Sequence, residues 1–236
     1  MFLGHLGVGL AAKRAAPHAS LGTLLLAALL VDLVWPVLLL AGVEAVRIDP
    51  GNTAVTPLDL VSYPLTHSLA TGVGWGALLA LVYLAGRRYG RGALVVGLLV
   101  ASHWVLDLVS HRPDLPLYPG GPAVGLGLWG SLPATLAVEL GVFALGVGLY
   151  LAATRPLDRT GRWALAGLVA LLLAIYGAAV FGPPPPSDRA TALAGLALWL
   201  LPPLGVWIDR HRALRQSPSV RRQRLRGGAA GAITVA

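Results

Sequence analysis

Six stretches of this chain are each apolar over roughly the 20 residues a helix needs to cross a hydrocarbon core. They run from Ser20 to Gly42, Leu65 to Gly86, Gly92 to His111, Leu132 to Ala153, Trp163 to Gly182 and Ala190 to Ile208. Lipid admits few backbone solutions, and segments of this length point to helices. Composition agrees: 56% of the residues are hydrophobic and 12% charged, which excludes an ordinary water-soluble domain. The 30 glycines and 18 prolines fit membrane helices that pack through small residues. The expected fold is therefore all-α and polytopic, with six transmembrane helices. Ahead of them, Met1 to Ala12 is apolar but too short to span, and it predicts a half-inserted or interfacial helix retained in the mature protein.

Basic residues set the expected orientation. Fifteen of the 18 Lys and Arg residues fall on one side of a six-helix arrangement, leaving Arg47, Arg112 and Arg189 on the other. The positive-inside rule then places both termini in the cytoplasm. Residues 1–212 read as the helical membrane domain and 213–236 as a basic, disordered cytoplasmic tail. Anionic lipid headgroups are the expected contact of that tail, ahead of nucleic acid. On the outer side, residues 43–64 carry Glu44, Arg47, Asp49 and Asp59 and resemble an ordinary polar loop. Residues 112–130 are rich in Pro and Gly yet apolar, with Tyr118 and Trp129 suited to a headgroup-level belt, and predict a cover over the outer face.

Ionisable residues inside the spans carry the functional signal, because each costs at least a few kcal/mol in lipid and needs a partner or a purpose. Asp32 lies in the first span, Glu139 in the fourth, and His103, Asp107 and His111 in the third; His67 opens the second, and His5 sits in the short N-terminal segment. Positions i, i+4 and i+8 advance by about 40° per step, so His103, Asp107 and His111 share one stripe. Counted from the cytoplasmic ends, Asp32, His103, Asp107 and His111 lie roughly 18, 17, 22 and 29 Å deep, and His67 and Glu139 fall roughly 27 and 20 Å deep. Six groups at one level predict a shared site. With no cysteine, a metal here must sit on His, Asp or Glu, and that donor set suits zinc, iron or manganese. His5, Asp32, His67, His103 and Asp107 are the candidate metal ligands, with His111 and Glu139 as further ligands or acid/base groups. The bland alternative is a buried His–Asp pair satisfied by its own hydrogen bonds. His18 and His211 are expected at the interface or in solvent, Asp114 in a turn, Ser68 at a helix start, and Trp35, Trp104 and Trp199 as packing anchors.

The early GHLGVGLA, the lone Asp32, the triplet Thr66-His67-Ser68 and the later His103-x-x-x-Asp107 together resemble a bacterial inner-membrane family described as metal-dependent hydrolases, some members of which are described as binding the SOS repressor. HRPDLPLYPGG, VGLGLW and the intramembrane Glu139 resemble a block found in many bacterial membrane proteins of this size. Where that family usually has Pro-Asp-x-Asp and an Arg before the Thr-His-Ser, this chain has one Asp, and Tyr63, Pro64 and Leu65 stand before Thr66. The order of His and Asp is also similar to that of zinc-dependent phospholipase C and P1 nuclease. The resemblance implies a hydrolase with a divalent metal, zinc by preference. Such a metal lowers the pKa of bound water towards 7, and Glu139 is the expected base. A phospholipid or polyprenyl phosphate reached from the bilayer suits the depth of the site. A proton- or ion-coupled transporter, and a non-catalytic scaffold acting through the basic tail, are the other readings.

Overall fold

The structure is a computed structural model that describes residues 1–215, so the expected tail lies outside the described residues from 216 onward. It is all-α, with six helices long and apolar enough to cross a membrane, the architecture of a multi-pass membrane protein. The first helix, α1, spans Leu3–Ala15, and α2 spans Leu21–Leu40. A four-residue turn of helix, α3 (Pro64–His67), leads into α4 (Leu69–Arg87), and α5 follows at Gly90–Ser110. The fourth and fifth spans are α6 (Leu132–Ala153) and α7 (Arg159–Phe181). The sixth is built from α8 (Asp188–Leu196), a 3-10 turn at Ala197–Leu200 and α9 (Leu201–Arg210).

Helix α1 is the centre of the bundle. It packs against α2, α5 and α6, and Leu3, Leu6 and Leu10 are fully buried. Of the two sequence readings, insertion holds and an interfacial position does not. The physical reason is its surface: apart from His5, which faces the site, and Lys13 and Arg14 in its last turn, α1 is apolar and small, so it has no continuous polar side to offer headgroups. Close approach to α6 needs glycine, since a Cβ on Gly7 would stand 2.7 Å from the Val142 carbonyl oxygen. The same device joins α4 to α5, where a Cβ on Gly76 would stand 2.7 Å from the Gly97 oxygen.

The second expected span is broken at Ser68, whose backbone is extended and whose Oγ accepts from Thr71 N at 3.3 Å as the N-cap of α4. That break turns His67 inward, and it bears out the helix-start role of Ser68. Outside the spans, β1 (Ala45–Ile48) pairs antiparallel with β2 (Leu58–Ser62), and β3 (Leu115–Pro116) pairs antiparallel with β4 (Ala123–Val124). The two hairpins are laced together by Arg112, which reaches Asp59 at 3.0 Å and also Asn52, and by Ala54 N donating to Trp129 O at 3.0 Å. The 43–64 segment is thus part of the cover rather than an ordinary loop. At the opposite end, β5 (Thr154–Pro156) pairs with β6 (Arg212–Leu214), so the first residues assigned to the tail belong to a sheet. Many large side chains on the helices face outward, among them Leu81, Leu94 and Leu145, as lipid-facing surfaces require.

Candidate metal centre

Five of the expected groups meet between α1, α2, α3 and α5. Nε2 of His67 lies 3.3 Å and Nε2 of His103 3.6 Å from Asp32 Oδ1. Asp107 Oδ2 stands 3.1 Å from His103 Nε2 and 4.0 Å from His67 Nε2. Four donor atoms on a tetrahedral zinc, with bonds of about 2.0–2.1 Å, sit about 3.3–3.4 Å apart, and these spacings bracket that value. Two overlapping sets place one ligand atom per residue within 4.8 Å of one another: His5, His103 and Asp107; and Asp32, His67 and His103.

The hydrogen bonds behind the histidines decide what their Nε2 atoms offer. His103 Nδ1 donates to the Ala28 carbonyl oxygen at 2.9 Å. His67 Nδ1 lies 2.7 Å from Thr66 Oγ1, whose own proton goes to Glu44 Oε2 at 2.7 Å. A hydroxyl has one proton to give, so Thr66 must accept from His67 Nδ1–H. In the neutral form both rings are thereby held in the tautomer with a bare Nε2, its lone pair turned towards the carboxylate oxygens; as imidazoliums they place an Nε2–H there instead. His103 Nε2 is buried with no hydrogen-bond partner. Acceptor facing acceptor in a buried site calls for a cation between them, a metal ion or a proton. The donor set therefore fits a divalent metal.

His5 belongs to the cluster. Its ring stacks on His103 with centroids 3.5 Å apart, and its Nε2 is 3.0 Å from Asp107 Oδ1. The α-ammonium of Met1 shares that oxygen at 2.6 Å, so donors crowd one side of Asp107 while Oδ2 faces the bare histidine. Stacked imidazoles cannot both be cations at this distance.

His111 and Glu139 border the same cavity, of about 250 Å³. His111 caps α5, and its Nδ1 is 3.1 Å from Asp114 Oδ1, which also accepts from Tyr63 OH at 3.1 Å. This leaves His111 Nε2 directed at Asp107, 3.9 Å away, with Trp129 against the ring at 4.4 Å. Burial pushes the His111 imidazole below its usual range against the opposing hydrogen bond of Asp114. Burial alone would raise Asp114, but hydrogen bonds from His111, Tyr63 and Arg112 hold it below the usual carboxyl range. Glu139 is placed otherwise: its oxygens accept from Phe2 N at 3.0 and 3.2 Å and from Gly4 N at 3.2 Å, fastening the start of α1 to α6.

The sequence reading missed Glu44, which is 3% exposed and whose Oε1 accepts from Leu65 and Thr66 amides at 2.8 and 3.0 Å. Asp114 sits in a turn, as expected, and its carboxylate also orients His111. The only linear hint was that Glu44 follows a span and Asp114 follows His111 by three. His18 and His211 stay away from the cluster, beside Tyr89 and Asp158 respectively. Trp104 and Trp199 are anchors, donating to Pro116 O and Leu33 O at 3.0 Å each, while Trp129 and Trp35 line the cavity. Compared with protein families, with curated proteins and with solved structures, the chain finds no match, so the site rests on its own geometry.

Proposed function

We propose that this protein is a divalent-metal-dependent hydrolase embedded in a bacterial inner membrane, with both termini cytoplasmic, acting on a lipid-linked phosphoester. The observation that carries the reading is the pair of bare Nε2 atoms on His67 and His103 turned towards Asp32 and Asp107. The resemblance to metal-dependent hydrolases of the inner membrane points the same way, and zinc is the metal its donor set and spacing suit best. Asp32, His67, His103 and Asp107 would hold the ion, with His5 against Asp107 beside it.

When bound, such an ion supplies Lewis acidity to a phosphoryl oxygen and draws the pKa of water towards 7. The chain's own residues do the rest. His111 Nε2 is free to take the proton of an attacking water, because its Nδ1–H is committed to Asp114. Asp114, steadied by Tyr63 and Arg112, keeps that tautomer. Trp129 and the hairpin cover hold bulk water off. Glu139 stands on the same wall as the second acid/base candidate, but its oxygens already serve three amide contacts, which favours His111 as the proton acceptor.

Metal analysis of the full-length protein, purified in detergent after growth with zinc, tests the reading. About one ion or more per chain is expected, falling to a trace in His103→Ala and Asp107→Asn. A metal-free wild type whose proteoliposomes move protons would replace this reading with the relay, in which protons rather than a metal separate the facing acceptors.

A further inference from the structure

Two donors of the cavity have no acceptor. Tyr176, on α7, is 5% exposed and its hydroxyl makes no hydrogen bond; Trp35 Nε1, on α2, is shielded from solvent and equally unpaired. Both side chains line the cavity that holds His111 and Asp107. Elsewhere in the fold, Trp75, Trp104 and Trp199 donate to carbonyls, and Tyr63 and Tyr150 to carboxylates. A buried donor left without a partner costs about 1–3 kcal/mol, so two on one cavity mark a place where an acceptor from outside the chain belongs.

Asp32, His67 and Glu139 share that wall with His111 and Asp107, and away from these groups the lining is mostly apolar. Phe2, Leu60 and Leu198 form its walls, and Val180 and Leu58 carry it into a second cavity of about 520 Å³ between residues 50–58 and the turn from α7 to α8. Phe181 and Leu193, 67% and 54% exposed, flank that turn on the outside of the bundle. In a helix bundle that crosses a bilayer, such a mouth meets lipid chains.

We propose that these joined cavities bind a single-chain amphiphile with a phosphate head, the head oxygens accepting from Tyr176 Oη and Trp35 Nε1 and the chain lying under residues 50–58. Both the binding and the hydrolysis of that head rest on the function proposed above, because a bound cation offsets Asp32, Asp107 and Glu139 on the cavity wall. Dodecyl phosphate is the probe, added to the full-length protein in nanodiscs of zwitterionic lipid, with dodecyltrimethylammonium as the control.

Saturable binding of one dodecyl phosphate per chain is expected, about ten-fold weaker in Tyr176→Phe and in Trp35→Phe, as loss of one hydrogen bond to a charged head predicts. Val180→Trp blocks the passage and abolishes binding. Neither Tyr176→Phe nor Val180→Trp changes the metal content, and Tyr176→Phe keeps or raises the melting temperature because it removes an unpaired hydroxyl. Wild-type affinity in both aromatic variants, or equal binding of the ammonium probe, overturns the proposal. Metal analysis of the same samples separates the two readings. A metal-free protein that fails to bind the probe sinks the hydrolase and the binding site with it, and a metal-loaded protein indifferent to Tyr176→Phe sinks only the binding site.

Discussion

This bundle buries two carboxylate clusters, and they are built on opposite rules. At the end of the bundle that carries β5 and β6, Asp209 Oδ2 accepts from Lys13 Nζ at 2.5 Å and from Leu21 N at 2.8 Å, and Oδ1 accepts from Tyr150 OH at 2.9 Å. Lys13 also donates to Ala19 O at 2.8 Å. Each acceptor there meets a donor. In the cluster beneath the β1–β2 and β3–β4 hairpins, Asp32 and Asp107 face the Nε2 atoms of His67 and His103. Burial of charge is common to both, so burial does not mark function. What distinguishes the cluster beneath the hairpins is that, beyond the Met1 ammonium on Asp107 Oδ1, its His and Asp atoms face one another in need of a metal ion or a proton, whereas the Asp209 cluster is complete and ties α1, α2, α6 and α9 together.

The largest effect should come from breaking the complete cluster. Asp209→Asn leaves Lys13 buried without its counter-charge and is expected to cost about 3–5 kcal/mol of stability, with metal content per folded chain unchanged. Replacing both partners, as Lys13→Met with Asp209→Leu, should recover most of that loss. Thermal unfolding in detergent reads both, and equal stability of the single and double variants would show that the Lys13–Asp209 pair is not coupled.

Chelation probes the other side of the comparison. Stripping the metal should lower the unfolding temperature by the equivalent of about 2.7 kcal/mol if the ion is held at a hundred times its dissociation constant. His103→Ala should show no such response to chelator, while Lys13→Met with Asp209→Leu should respond like the wild type. A smaller effect is expected one bond further out. Thr66→Val removes the hydroxyl that fixes the His67 tautomer, and metal affinity should fall about 10–100-fold, as for other groups that orient a ligand. Competition with a chromogenic chelator measures it, and wild-type affinity would show that Glu44 and Thr66 only cap α3.

The sequence made the cluster beneath the hairpins legible for a physical reason. Asp32, His103 and Asp107 stand alone in apolar spans, and in lipid a lone charge announces itself. His103, Asp107 and His111 also share a helix, where spacing converts directly into a face. Glu44, Tyr176 and Trp35 offered neither signal. Glu44 returns to the site because the chain doubles back at β1 and β2, and the two aromatics differ from ordinary anchors only in lacking an acceptor. Span lengths fixed the six helices, but the break at Ser68 and the central place of α1 depend on contacts between distant residues. Lys13 read as a cytoplasmic surface charge; only the fold shows that Asp209 takes it inside.

The smallest expected effect concerns an exposed carboxylate at the start of α7, where water does most of what neighbours do in the two buried clusters. Asp158 caps α7, its Oδ1 accepting from Gly161 N at 2.7 Å and its Oδ2 lying 2.8 Å from His211 Nδ1. The hydrogen bond to His211, then that to Gly161, holds its carboxyl below the ordinary value of 3.8. A carboxyl depressed by folding stabilises the protein above its unfolded pKa, and that contribution fades as pH falls through the folded one. Asp158→Ala should therefore melt slightly below the wild type at pH 6, and the two should converge as pH drops below 3.8. The gap should be the smallest in this series, because an exposed ion pair is screened by solvent. A gap that persists undiminished in acid would mean that Asp158 acts through packing rather than through its charge.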